Sequence, residues 1–103
     1  DMGDPVGTAH HMRSRLTADG TCMLVEPNAA DSLSENLKNP FSRIMYSAST
    51  MICTPVSMSQ EVGLALGAAA GPGRLTEVAR QAGFTRVRRV AEESPSLVLE
   101  LKL

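Results

Sequence analysis

Thr21-Cys22-Met23-Leu24-Val25-Glu26-Pro27 is the segment around which the rest of the chain is arranged. Its apolar run, residues 22–25, is too short for a typical helix, and a glycine before it and a proline after it mark its ends. Such a run is typical of a strand that is covered on both faces, as in parallel sheets. Glu26 then lies at the carboxyl end of the strand, the edge where open α/β sheets bind ligands. A solvent-exposed glutamate at the start of a loop is an equally good interpretation of this residue.

The composition is that of one ordinary globular domain. The 103 residues are 43% hydrophobic and 20% charged, which favours a folded domain with a modest core over a disordered chain. A net charge of −1 implies no general attraction to nucleic acid or to an anionic membrane surface. The sequence has no apolar run long enough to span a bilayer, and aromatic residues are too scarce for a base-stacking surface. We therefore expect neither a nucleic-acid partner nor a membrane partner.

The cysteines and histidines predict no metal site. Cys22 and Cys53 are too few and too far apart for a disulfide scaffold or a zinc knuckle, which favours a reducing, cytoplasmic setting. His10 and His11 are neighbours on a predicted helix, so their side chains point about 100° apart and cannot converge on one ion. The chain begins with Asp1 rather than methionine, which indicates a processed or excised segment.

The first half of the chain predicts a helix before the central strand and a second helical region after it. Asp4 is a good N-cap and Pro5 suits the first helical position, so a helix should run from Pro5 to near Leu16. Residues 28–39 predict a polar loop with a short helix. Ser57 followed by Gln60 forms a capping-box pattern, which predicts that another short helix begins at Met58.

Between these elements, residues 40–55 form an apolar segment with two open interpretations. A helix here would be apolar nearly all round, as in a buried core helix. Alternatively, it forms the wall of an apolar small-molecule pocket, where methionine and tyrosine supply adaptable contacts. The pocket residues would then be Met45, Tyr46, Met51 and Ile52.

The second half predicts a loop, a helix and an antiparallel hairpin. Residues 63–73 are glycine-rich, but their spacing fits neither phosphate-binding fingerprint, so they predict a surface loop. A helix should cover residues 74–82, with Gly83 as its left-handed C-cap and Phe84 as the apolar residue behind it. Residues 85–92 and 97–103 read as two strands joined by a turn over residues 93–96, and the second strand places its odd-numbered leucines on one face.

The order of these elements resembles the C-terminal half of a class I S-adenosylmethionine-dependent methyltransferase. Residues 16–27 are similar to the family's helix, Asp-Gly turn and fifth strand ending in an acidic residue. Residues 1–5 (DMGDP) are similar to the segment after the fourth strand of small-molecule O-methyltransferases. Gly83-Phe84 runs into a terminal hairpin, as in the family's last helix and antiparallel sixth and seventh strands. Tyr46–Thr50 and Gln60–Gly63 are similar to stretches of uncharacterised bacterial methyltransferases.

The resemblance implies an α/β fold, the C-terminal part of a Rossmann-like sheet, over residues 1–103, with the cofactor-binding first half outside the chain. S-adenosylmethionine would be the cofactor of the full-length protein, with Asp1 and Met2 beside the methyl donor. Glu26 would orient a histidine base that precedes Asp1. The family's second acidic partner is replaced here by Gly73-Arg74.

Two functions follow as expectations. In the first, the chain is the acceptor-side segment of an enzyme that methylates a small molecule, and it is inactive alone. In the second, it is a non-catalytic interaction or dimerisation module derived from such an enzyme. Without upstream strands, Thr21–Glu26 would be an apolar sheet edge, and such edges recruit partner strands, so the isolated chain is expected to form homo-oligomers.

Overall fold

The computed structural model describes residues 1–93 and 95–103, which form an α/β structure around an antiparallel sheet that has three strands in this part of the chain. In chain order the elements are α1 (Pro5–Ser14), β1 (Thr21–Pro27), α2 (Leu33–Asn36), α3 (Ser42–Ala48), a π-helical turn (Ser49–Cys53), α4 (Thr54–Met58), α5 (Gly71–Gln81), β2 (Arg86–Glu93) and β3 (Ser96–Lys102). Across the described residues, every helix is too short or too polar to cross a membrane.

The strand order is β1-β3-β2, so the last strand of the chain lies in the middle. Both neighbours pair with β3 in the antiparallel sense, with Leu24 of β1 opposite Leu99, and β1 and β2 therefore run parallel to each other. The register of β2 shifts between Arg89 and Ala91, at an irregularity in the strand. The predicted hairpin is confirmed, while its turn includes Ser94, which lies outside the described residues.

The core lies on one face of the sheet. The alternating leucines of β3 supply its centre, and Leu97, Leu99 and Leu101 are each at most 3% exposed. α1 and α5 cover this face and pack against the leucines and against Cys22 and Leu24 of β1.

The prediction that β1 is covered on both faces in a parallel sheet is wrong for the described residues. β1 pairs antiparallel with β3, and the opposite face exposes 69% of Met23 and 50% of Val25. The physical reason is that both helices packed on the sheet lie on its Cys22 side. A short apolar run fits a strand that is covered on one face as well as one that is covered on two.

Local capping signals decide where α1 and α5 end. Asp4 caps α1, and its Oδ1 accepts a hydrogen bond from the Gly7 amide at 2.8 Å. Gly83 follows α5 with φ +101°, and the amides of Gly83 and Phe84 donate to the carbonyls of Arg80 and Ala79, the pattern of a Schellman motif. Both predicted caps are confirmed. The start of α5 lies at Gly71 rather than Arg74.

The interpretation of residues 40–55 as a buried core helix is wrong. α3, the π-helical turn and α4 form one helical segment that lies beside the core, and Ile44, Met51 and Ile52 are more than half exposed. Its serines supply the contacts with the following loop: Ser49 Oγ accepts a hydrogen bond from the Ala68 amide at 3.1 Å. Ser49 therefore faces the loop, whereas the large apolar side chains named above face solvent.

Candidate functional site

A mostly apolar cleft lies between α1, α5 and β1, on the covered face of the sheet. Its volume is about 150 Å³, and the loop before α5 borders it. Most of its lining residues are apolar, including Leu24, Val78 and Phe84, and Asp1, Thr8 and Glu26 are polar or charged. The cleft brings together three residues that the sequence singled out: Asp1, Met2 and Glu26.

Glu26 reaches the cleft because of strand alternation. It lies two residues beyond Leu24 and four beyond Cys22, so all three side chains point to the covered face. Burial raises the pKa of the Glu26 carboxyl, and the positive amino group of Asp1 opposes that shift. The ion pairs found among the described residues do not include Glu26. The structure therefore has a partly desolvated carboxylate without a strong partner at the end of an apolar cleft.

A network of three hydrogen bonds fixes the segment that carries Asp1 and Met2. The Ser57 hydroxyl donates to the Met2 carbonyl at 2.8 Å. Gln60 bonds on both sides of that residue, accepting from the Gly3 amide and donating to the Asp1 carbonyl, each at 2.8 Å. This network holds the start of the chain against the cleft.

Ser57 and Gln60 are the positioning residues that the sequence interpretation missed. The capping-box prediction is wrong, because α4 ends at Met58 instead of starting there. Ser57 is 1% exposed and also accepts a hydrogen bond from the Ala65 amide, so its hydroxyl serves two distant backbone groups rather than a helix start. A serine and a glutamine three residues apart carry no signal that separates these two roles.

The predicted acceptor-pocket residues do not line this cleft. Met51 and Ile52 flank a shallow surface groove on the outer side of the α3–α4 segment. The Tyr46 hydroxyl accepts a hydrogen bond from Asn36 Nδ2 at 3.0 Å, and Met45 is half-buried. The four side chains are therefore separate from the group formed by Asp1, Met2 and Glu26.

Other reactive side chains are accounted for by the fold. Burial raises the pKa of the Cys22 thiol, which keeps it protonated as a small core side chain. His10 and His11 are both exposed, and His10 Nδ1 lies 3.4 Å from the Ala82 carbonyl at the end of α5. Among residues 1–93 and 95–103, no cluster of three or more histidine, cysteine or acidic side chains is arranged to hold a metal ion.

The cleft is too small to hold S-adenosylmethionine by itself. Sites for molecules of that size enclose about 300–1,000 Å³, whereas this cleft has about 150 Å³. The glycines before α5 follow a helix rather than a strand, so they do not form a nucleotide-binding turn. Asp1 and Met2 do not make up a cofactor site by themselves.

Comparison with known proteins gives no assignment. No family model matches the chain. No curated protein is significantly similar to it.

Stability is expected to depend on pH through Glu26. An unfolded glutamate has a pKa near 4.5, and burial raises this pKa in the folded chain. Between the two pKa values the folded state binds more protons, so the free energy of unfolding falls as the pH rises through this window. The loss of stability is absent at a pH below the pKa of the unfolded chain, and it is complete at a pH above the pKa of the folded chain. Glu26→Gln should remove this contribution, which urea unfolding at about pH 4 and about pH 7 measures.

Glu61→Gln is the matched control, since Glu61 is exposed. It should leave the pH dependence of the wild-type chain unchanged. If Glu26→Gln and wild type lost the same stability over this range, the carboxyl would not be desolvated as described.

Proposed function

We propose that this chain is the acceptor-side, C-terminal part of a class I S-adenosylmethionine-dependent methyltransferase. The observation that carries the proposal is the meeting of Glu26 with Asp1 and Met2 at one cleft. The resemblance relates these residues to different parts of the family's site, and they are distant in sequence. The cofactor-binding residues would belong to the first half of a longer polypeptide, called the parent protein below.

The sheet supports this proposal. Mixed sheets, which combine parallel and antiparallel strands, are common among doubly wound folds. Here β1 and β2 run parallel to each other, and β3 lies antiparallel between them. The outer edge of β1 is unpaired among the described residues, so further parallel strands can extend the sheet from that side.

Within the proposed enzyme, the residues of this chain align groups and exclude water. S-adenosylmethionine, when bound, supplies an activated methyl group. Glu26 orients the base that accepts the acceptor's proton, and its partly desolvated setting makes that interaction stronger than it would be in water. The apolar walls of the cleft keep water from the acceptor. Asp1 and Met2 border the methyl donor. The acceptor would contact the predicted pocket residues only if, in the parent protein, it extended to the α3–α4 segment, which carries Met45, Tyr46, Met51 and Ile52.

The alternative, a non-catalytic interaction module, also has an observation in its favour. Apolar side chains are exposed along the α3–α4 segment, with Ile44 58% and Met51 79% exposed, and Met23 and Val25 lie uncovered beside the free edge of β1. Such surfaces mark contacts with other chains or with further parts of the same chain. Homo-oligomerisation through the β1 edge stays a prediction of this alternative.

Calorimetric titration of the 103-residue chain with S-adenosylhomocysteine tests whether the cofactor site lies mainly in the other half of the parent protein. We expect no binding tighter than about 1 mM, or about −4 kcal/mol, because the cleft is too small and the chain has no glycine-rich turn after a strand. Micromolar binding would contradict the proposal that the cofactor site lies mainly in the other half.

A further inference from the structure

The lining of the cleft is apolar and acidic. Most of its lining residues are apolar, Phe84 among them, and its charged residues are Glu26 and Asp1, of which Asp1 carries both a carboxylate and the positive amino group. Lysine, arginine and histidine side chains do not occur among its lining residues in the described part of the chain. The amino group of Asp1 is the positive charge near Glu26, and it forms no ion pair with it among the described residues.

The volume of the cleft limits the size of its occupant. A cavity of about 150 Å³ lined by leucine, isoleucine and phenylalanine stays dry and accepts benzene. The cleft here has about the same volume, and most of its lining residues are also apolar, although it is open on one side and includes Glu26. One six-membered ring or a short alkyl group therefore fits, with a polar group directed to the end where Glu26 lies.

We infer that this cleft binds a small amine, in its ammonium form, that carries one apolar group. The apolar group lies between α1 and α5, and the nitrogen lies at the Glu26 carboxylate. Naming this amine as the acceptor of the methyl group rests on the proposed function, in which the ammonium first gives one N–H proton to the base so that the nitrogen lone pair can attack the methyl group. The binding itself does not, because every group that it uses belongs to the described chain.

Charge decides between an amine and other molecules of the same size. A buried or half-buried carboxylate is costly unless an opposite charge or a strong donor pairs with it. An ammonium ligand supplies both the opposite charge and the hydrogen-bond donor. Its hydrogen bond to a carboxylate contributes more binding free energy than a hydrogen bond between neutral groups. A carboxylic acid of the same size would place two like charges together at Glu26. The cleft should therefore prefer an amine over the corresponding alcohol and exclude the corresponding acid.

Titrating the ¹⁵N-labelled chain with benzylamine and with benzyl alcohol, followed by NMR, tests the inference. Both ligands should shift the amide signals of residues that line the cleft, such as Leu24 and Val78. Benzylamine should bind about tenfold more tightly, which is the factor that one charge-assisted hydrogen bond supplies. Equal affinities would overturn the role of Glu26, and an absence of binding by either ligand would overturn the site.

Two variants separate the charge from the cavity. Glu26→Gln should weaken benzylamine binding about tenfold and change benzyl alcohol binding less than about twofold. Ala9→Leu places a larger side chain in the cleft from α1 and should weaken both ligands alike. If Glu26→Gln did not fold, the affinities of the two ligands for the wild-type chain would still test the role of Glu26. An unchanged benzylamine affinity in folded Glu26→Gln would overturn the inference.

These results are independent of methyl transfer. Benzylamine binding by a chain whose parent protein fails to bind S-adenosylhomocysteine would keep the amine site and refute the methyltransferase proposal. A parent protein that binds S-adenosylhomocysteine while the cleft rejects benzylamine would refute the amine site alone.

Discussion

Replacing Phe84 with alanine is expected to lower the free energy of unfolding by about 3–5 kcal/mol. The side chain is 2% exposed and lies in the core cluster with Leu97 and Leu99, at the point where α5 turns into β2. Truncation removes its contacts with the sheet and enlarges the existing cleft, which Phe84 also lines. A domain of this size has a total stability of about 5–15 kcal/mol, so a loss of this size is a large fraction of it.

Urea unfolding followed by circular dichroism measures this loss. Phe41→Ala is the matched control, because it removes the same side chain from the other phenylalanine, which is 36% exposed and precedes α3. Its loss of stability should be markedly smaller. Equal losses at the two positions would mean that the core does not lie where α1 and α5 meet the sheet.

Glu26→Gln in the parent protein is expected to slow methyl transfer about 10²-fold, at the lower end of what a positioned proton acceptor contributes. Glutamine keeps the size of the side chain and one hydrogen-bond acceptor, but it removes the negative charge that, under the proposed function, orients the base and stabilises its protonated form. In the proposed reaction Glu26 acts on proton transfer through the base, so the pH profile of kcat is the informative measurement. Removal of the carboxylate should lower the pKa that the rising limb of that profile reports.

Glu61→Gln serves again as the control and should leave both the rate and the pH profile unchanged, since Glu61 is exposed. A purely structural role for Glu26 would change the amount of folded enzyme without moving the profile. Wild-type rates in Glu26→Gln would remove the positioning role altogether.

The parts of the fold that the sequence predicts are those with local causes. Asp4 and Pro5 determine where α1 begins, because a capping carboxylate and a missing amide both act within one turn. Gly83 ends α5 because its positive φ is accessible to glycine without strain. The alternation in β3 predicts which leucines are buried, since the side-chain period of a strand is two.

The parts that the sequence does not predict depend on distant partners. Ser57 and Gln60 bond to residues more than fifty positions away, and nothing in their local spacing indicates this. The covered and uncovered faces of β1 are equally apolar, so only the placement of α1 and α5 distinguishes Leu24 from Met23. The π-helical turn at Ser49–Cys53 interrupts a helical segment whose apolar residues gave no sign that they would face outward.

The candidate site shows the same division. The apolar run and the proline after it predict that Glu26 lies at the end of a strand. In the structure Glu26 lies near the end of β1 and lines the cleft. The acceptor-pocket prediction rested on composition alone, and Met51 and Ile52 lie on a separate surface groove. Composition indicates that a segment is apolar and does not indicate what it faces.

Calorimetric titration of the parent protein with S-adenosylhomocysteine is the most direct test of the proposed function. We predict a micromolar dissociation constant, about −8 kcal/mol, for the parent protein, and no binding tighter than about 1 mM for the 103-residue chain. A parent protein that gives no binding heat at millimolar ligand would contradict the methyltransferase assignment and favour the interaction module.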